Sequence, residues 1–440
     1  MRVTFNNPVA RDLGTSYEEF VRHFLHLNPQ EGISGETLQA VEDRFHLMTA
    51  QEHIEHFANP VWQIFGEHIS ADCETKVAPL PKTRGPVIAG VKEALDLIYE
   101  SNIGQDGFEI NAIGLYKGGL ATNAAHALRL LNTYANFVPL LGEGPKAKIH
   151  RALIESSGID LTNEVISNGI DAYTHFCSLL TKGQEKQENW MAQYRVAFSR
   201  ETIDTFTSAI EQALKENQGE VLVLSSLPPV GSGDDYFAQL TSLGKRYNSP
   251  TAFNSKQYDS IKSSQYLFEQ GEVRLIKPNL VEFVQFLRFT NILYEDSDTA
   301  ESEIYQRLKK QISRGNFKET FDLARLLIEQ VNPNMVIFLS FSEHGAMAIN
   351  KDHAVIFGAP KIKLGCSSGA GDSGLASIIK TVKDNSYNLW DTLKEDELAN
   401  LLQAFIYAAS ATASLEGNNI AGIDEINKLR SSEQLVQYKI

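Results

Sequence analysis

Lys363–Lys380 reads KLGCSSGAGDSGLASIIK: a Gly-Ala-Gly-Asp turn, Gly369 to Asp372, then an apolar run with the spacing of a helix. Glycines at the mouth of a helix let backbone N–H groups face an anion with no side chain in the way. The helix dipole adds partial positive charge at the same end. A carboxylate there, Asp372, cannot itself bind the anion. It makes sense as a base beside a bound phosphate, the arrangement that phosphoryl transfer to a hydroxyl needs. The structural alternative for the same residue is a helix cap. With Asp372 as base, the amides of Gly369, Ala370 and Gly371 would stabilise the charge of the transferring phosphoryl group.

Three further segments extend the pattern. Tyr116–Leu130, YKGGLATNAAHALRL, puts a Gly-Gly turn and an Asn before an amphipathic helix. Arg274–Phe283, RLIKPNLVEF, puts Asn279 and Glu282 just after an apolar strand, and Val336–Ile349, VIFLSFSEHGAMAI, reads as strand, polar turn with Gly345, and strand. In this order and spacing the set resembles the PfkB (ribokinase-like) carbohydrate kinase family over residues 110 to 430 or so. The wording is most similar to the phosphofructokinase and tagatose-phosphate kinase branch, through LVLSSLPPVGSGDDYFAQL at Leu222–Leu240 and Ser373 after the Gly-rich turn.

The resemblance implies an α/β fold: a ribokinase-like three-layer α/β/α sandwich with a mostly parallel central sheet. It implies ATP and Mg²⁺, with Asn279 and Glu282 organising the metal through waters, because Mg²⁺ keeps several waters and needs few protein ligands. On the acceptor side stand Gly118, Gly119 and Asn123, whose amide can donate to and accept from sugar hydroxyls. Asp12, in the NNPVARD segment after the first strand, joins them. Ser340, Ser342, Glu343 and Gly345 would form the edge of the nucleotide-base pocket, flanked by Asn418 and Asn419. Plain turn and loop roles are the alternative for each of these polar residues. Some positions depart from the family's pattern. Leu120 stands where the family often has Lys, with Lys117 close by. NGIDAYTHFC carries Asp171 and no Arg in the stretch where sugar-phosphate kinases usually place one, and Arg195 is a substitute from further on. Cys366 replaces an acidic or polar residue near the family's monovalent-cation loop.

Apolar strands separated by helices, such as FEINAIG, VLVLSSL, VRLIKPN and MVIFLSF with Thr202–Glu216 and Thr320–Gln330 between them, independently argue for a parallel sheet covered on both faces. Ligands of such sheets bind beyond the carboxyl ends of the strands. The N-terminal part differs. After a short strand at residues 2–5, the texture from Tyr17 to Tyr99 is helical, with Ser16 and Ser34 as caps and apolar Phe20, Phe24 and Leu27 at helical spacing. Residues 1–107 are therefore expected as the first strand plus a helical insertion, acting as lid or dimerisation element, and 108–440 as the kinase domain. His53 and His56, with Glu52 and Glu55, have spacing for a metal, and partly exposed polar histidines are the plainer account.

At 440 residues, 42% hydrophobic and 22% charged, the chain can bury a large core and is not disordered as a whole. A net charge of -15 argues against nonspecific nucleic-acid or anionic-membrane binding. Three scattered cysteines without a CxxC pair suggest neither zinc nor a disulfide framework. No long apolar run marks a signal peptide or membrane span, so a cytoplasmic protein is expected. The function implied is ATP-dependent phosphorylation of a hydroxyl on a sugar or sugar phosphate, with a homodimer as the candidate assembly. The competing reading is a ribokinase-like regulatory module that binds nucleotide or sugar and transfers nothing.

Overall fold

In the computed structural model of the chain, the described residues are 4–5, 77–91, 94–104, 107–170, 173–182, 185–192, 197–225, 228–254, 267–268, 272–293, 298–416 and 419–439. Numbered along the chain, the strands are β1 (Thr4–Phe5), β2 (Val87–Gly90), β3 (Ala94–Gly104), β4 (Gly107–Gly118), β5 (Asn136–Gly142), β6 (Val165–Ser167), β7 (Tyr173–Lys182), β8 (Glu185–Ala192), β9 (Leu222–Ser225), β10 (Thr251–Asn254), β11 (Val273–Ile276), β12 (Val336–Ser340), β13 (Ala346–Ile349), β14 (Ala354–Phe357) and β15 (Gln437–Tyr438). The helices are α1 (Leu120–Leu130), α2 (Pro145–Ser156), α3 (Arg200–Glu216), α4 (Tyr236–Arg246), α5 (Leu280–Phe289), α6 (Asp298–Ile312), α7 (Lys318–Val331), α8 (Ala370–Asp384), α9 (Glu395–Ala413) and α10 (Ile423–Ser432).

Ten strands form one open sheet in the order β15-β14-β13-β12-β11-β10-β9-β2-β5-β6. The run from β12 through β6 is parallel, and β13, β14 and β15 add antiparallel at one edge. Both faces are covered, so successive residues of one apolar strand enter opposite cores. Leu222 and Leu224 join Phe253, Ile337 and Leu339 under α3 to α7. Val221 and Val223 join Ala252, Val336 and Phe338 on the face of α1, α8 and α9. This is the expected three-layer α/β/α sandwich.

The second sheet has the order β1-β4-β3-β7-β8. Its centre is the long antiparallel pair β3–β4, with an irregularity between Glu100 and Ser101, and β7 runs parallel to β3. The expected helical texture up to Tyr99 needs correction at its end, because Val87–Gly90 and Ala94–Tyr99 are strand. Short apolar runs do not separate helix from strand by periodicity, and here tertiary pairing decides. The expected division at 107/108 falls inside β4, after its first residue, while β2 sits within the large sheet. The helices and histidines expected between Tyr17 and Lys76 lie outside the described residues.

Helix α8 packs closely on α9. A Cβ on Gly374 would overlap the Phe405 ring, which in turn lies 6.4 Å from Phe338 of the sheet. Gly374→Ala should therefore cost about 1–3 kcal/mol through overpacking. Denaturant unfolding checks this, and the double variant with Phe405→Leu should recover most of the loss; additive losses would show that the ring is not the obstacle.

Candidate active site

The parallel strands β2, β9, β10, β11 and β12 all end at one edge of the large sheet. Gly90, Ser225 and Asn254 share one register row, and Asn279 bridges Ser340 one connection further on. Helix α8 starts above this edge. Its N-cap is Gly369, left-handed at φ 75°, so Ala370, Gly371 and Asp372 make the first helical turn rather than a turn ahead of it.

Asp372 is buried, 4% exposed. Asn123 Nδ2 of α1 donates to its Oδ2 at 3.0 Å, and Asn254 Nδ2 of β10 donates to its Oδ1 at 2.9 Å. Amide N–H groups only donate, so both carboxylate oxygens act as acceptors. The capping alternative for Asp372 does not hold: the N-cap is Gly369, and no side-chain cap bond is made there. Asn123 thus turns its amide nitrogen toward Asp372.

Lys277 follows β11 and is 8% exposed. A Cβ on Gly371 would lie 2.7 Å from Lys277 Nζ, so the ammonium rests directly against the glycine turn. Of the expected amides, that of Ala370 donates to Ser367 O at 3.2 Å, which leaves Gly369 and Gly371 as the better-placed anion donors. Asn279 and Glu282 form a reciprocal capping box on α5: Asn279 Oδ1 accepts from Glu282 N at 2.9 Å, and Glu282 Oε2 accepts from Asn279 N at 2.8 Å. The pair is a hard oxygen donor set of the kind Mg²⁺ takes. Because these two oxygens already accept backbone N–H bonds, the fit is through water.

Gly119 caps α1 at φ 100°. Gly118 has no room for a side chain, because a Cβ there would overlap the Asp96 carboxylate. Asp96 sits on β3, only 3% exposed, paired in register with Tyr116. Burial lowers the neighbouring Lys117 to about 8 and, with Lys117 and Arg129 adding repulsion, pushes His126 well below the usual histidine range.

The remaining predicted residues lie at the far end of the edge. Ser340 ends β12, Ser342 opens a 3-10 turn at φ 52°, and Gly345 sits at φ 97°, where a Cβ would overlap Phe357 O. Only glycine fits that crossing. Asp12, Asn418, Asp171 and Arg195 lie outside the described residues.

The model of the pfkB family carbohydrate kinases matches residues 87–416. The chain belongs to the pfkB family. Two of the solved structures that share its fold illustrate the likeness. Phosphofructokinase-2 from Escherichia coli, solved with substrates and products, is 17% identical with a TM-score of 0.58, covering 79% of this chain and 99% of that one. A candidate 1-phosphofructokinase from Thermotoga maritima is 16% identical with a TM-score of 0.59, covering 80% and 99%. Comparison by sequence with curated proteins returns no match.

The matched region of this pfkB family chain begins at β2 and so includes Asp96 but not Asp12. Asp96 carries a sequence signal: a carboxylate flanked by Leu95 and Leu97 at the start of a strand. Asn254 has a weaker one, a polar residue closing the short strand TAFN. Lys277 is visible only as the residue before Pro278.

Lys117 makes a testable pH effect. Its pKa is 10.5 unfolded and about 8 folded, so between these values the unfolded chain holds a proton that the folded chain has lost. Stability should rise with pH across that window, with the penalty of charging fully present below it. Lys117→Met should remove the rise, seen by comparing urea midpoints near about pH 7.5 and about pH 9.5; an unchanged pH slope would contradict the assignment.

Proposed function

We propose that this carbohydrate-kinase family member transfers the γ-phosphoryl group of ATP to a hydroxyl of a sugar or sugar phosphate, with Asp372 as the general base. The observation that carries this is the buried Asp372 carboxylate, held by two amides at the mouth of α8 beside the Lys277 ammonium. The acceptor hydroxyl gives its proton to Asp372 as its oxygen bonds to phosphorus, and the bond from phosphorus to the β-phosphate oxygen breaks, releasing ADP. Charge on the transferring group meets the amides of Gly369 and Gly371 and the Lys277 ammonium, all placed before the reaction. Asn279 and Glu282 would hold Mg²⁺ through waters, and when bound the ion neutralises charge on the nucleotide phosphates.

Gly118, Gly119 and Asp96 would receive the acceptor. A carboxylate there accepts hydrogen bonds from sugar hydroxyls and repels an anionic group, so any acceptor phosphate would point away from Asp96. Ser340, Ser342 and Gly345 would border the base of the nucleotide. A phosphofructokinase-2 structure solved with fructose-6-phosphate supports the class of substrate, and another solved as a tetramer bears on assembly. For this chain a homo-oligomer and a cytoplasmic location are proposals. Among the described residues no helix is long and apolar enough to cross a membrane.

Asp372→Asn should lower phosphate transfer by about 10²–10⁴-fold while ATP affinity, read by calorimetry, stays near wild type. The assay is ADP release with Mg²⁺ across free sugars and sugar phosphates. A wild-type protein that binds ATP and releases no ADP with any acceptor would favour the binding-module reading.

A further inference from the structure

Asn254 does more than fill the strand end. It is fully buried, and its Nδ2 donates to Asp372 Oδ1 at 2.9 Å. Its own Oδ1 is buried with no hydrogen-bond partner, and so is Ser225 Oγ, on the register partner in β9. Leaving an amide oxygen unpaired in the interior costs about 1–3 kcal/mol, so something must favour this orientation over its half-turn. The half-turn would put Asn254 Oδ1 against Asp372 Oδ1, oxygen facing oxygen, which an ionised carboxylate opposes. A protonated Asp372 reverses the preference, because its O–H could donate to Asn254 Oδ1 and satisfy the unpaired atom.

We propose that Asn254 is a positioning residue that holds Asp372 ready to accept a proton and follows its protonation by turning its amide. The proposal rests on the kinase reading only in naming Asp372 the base. The surroundings are consistent with such a role. From β11 the Lys277 ammonium stands at Gly371, from α1 comes the neutral Asn123, and α9 presents Phe405 to Gly374 and the Ala408 carbonyl to Ser373 Oγ. The Asp96 carboxylate lies against Gly118, one residue before the α1 cap. The Asn254 amide and Asn123 are thus the neutral partners through which the protonation of Asp372 is balanced.

The test needs no turnover. The full chain is labelled with ¹³C-carboxyl aspartate, the Asp372 resonance is assigned by its loss in Asp372→Asn, and its pH midpoint is followed. In Asn254→Asp two carboxylates share one site, so the Asp372 midpoint should rise by about 1 pH unit or more. In Asn254→Ala, where one donor to the carboxylate is lost and no new charge is added, it should rise by a smaller amount. Thermal unfolding of both variants checks that they fold, and the Ala variant decides if the Asp variant does not. Midpoints equal to wild type would overturn the inference, whatever the kinase assay shows. Shifted midpoints in a protein that transfers no phosphate would instead refute the kinase reading alone.

Discussion

A buried carboxylate has to be compensated, since the cost of removing a charge from water is several kcal/mol even after relaxation. At Asp372 two of the compensating groups are amides on elements far apart in sequence, and much of the site follows from bringing them together. Asn254 arrives on β10 because parallel pairing aligns its strand end with Ser225 and Gly90. Asn123 arrives because Gly119 turns the chain sharply into α1. The height of α8 above the sheet is set by the bare Gly374 face against Phe405. Loosen any of these and the carboxylate loses a donor.

In the proposed reaction, phosphate chemistry and acceptor recognition would be divided between the two sheets. Lys277, the glycine turn and the Asn279–Glu282 box belong to the large sheet and its helices. Asp96 belongs to the small one. The capping box shows how one residue pair can hold two roles: it secures the start of α5 through backbone contacts and leaves a hard oxygen set at the same edge.

Local features were legible in the sequence. The glycine turn before α8, Asn279 with Glu282 three residues on, the turn closed by Gly345 and the alternation of apolar strands with helices each depend on residues close together in the chain. What could not be read there depends on long-range contact. The Asn123–Asp372 and Asn254–Asp372 bonds span 249 and 118 residues. No spacing rule marks such pairs. The strands at 87–90 and 94–99 were obscured for a similar reason, as their partners are Leu222–Ser225 and Asn136–Pro139 for the first and the β4 and β7 strands for the second. Asp12 drew attention because it followed the first strand in sequence, whereas the aspartate that the fold places at the glycine turn follows the strand at the centre of the large sheet.

The path from β2 to β3 and back through Gly118 and Gly119 has a mechanical meaning. The small sheet is joined to the large one through β2 into β3, through β4 into the glycine pair and through the ends of β7 and β8, and the crossing at the glycine pair lies beside Asp96. A molecule that touches Asp96 and Asp372 at once spans the joint between two bodies. Its binding energy is then sensitive to the angle between them, and a ligand that bridges the joint draws the sheets toward one relative orientation by as much as it prefers that orientation. The acceptor would in this way act as a strut as well as a reactant.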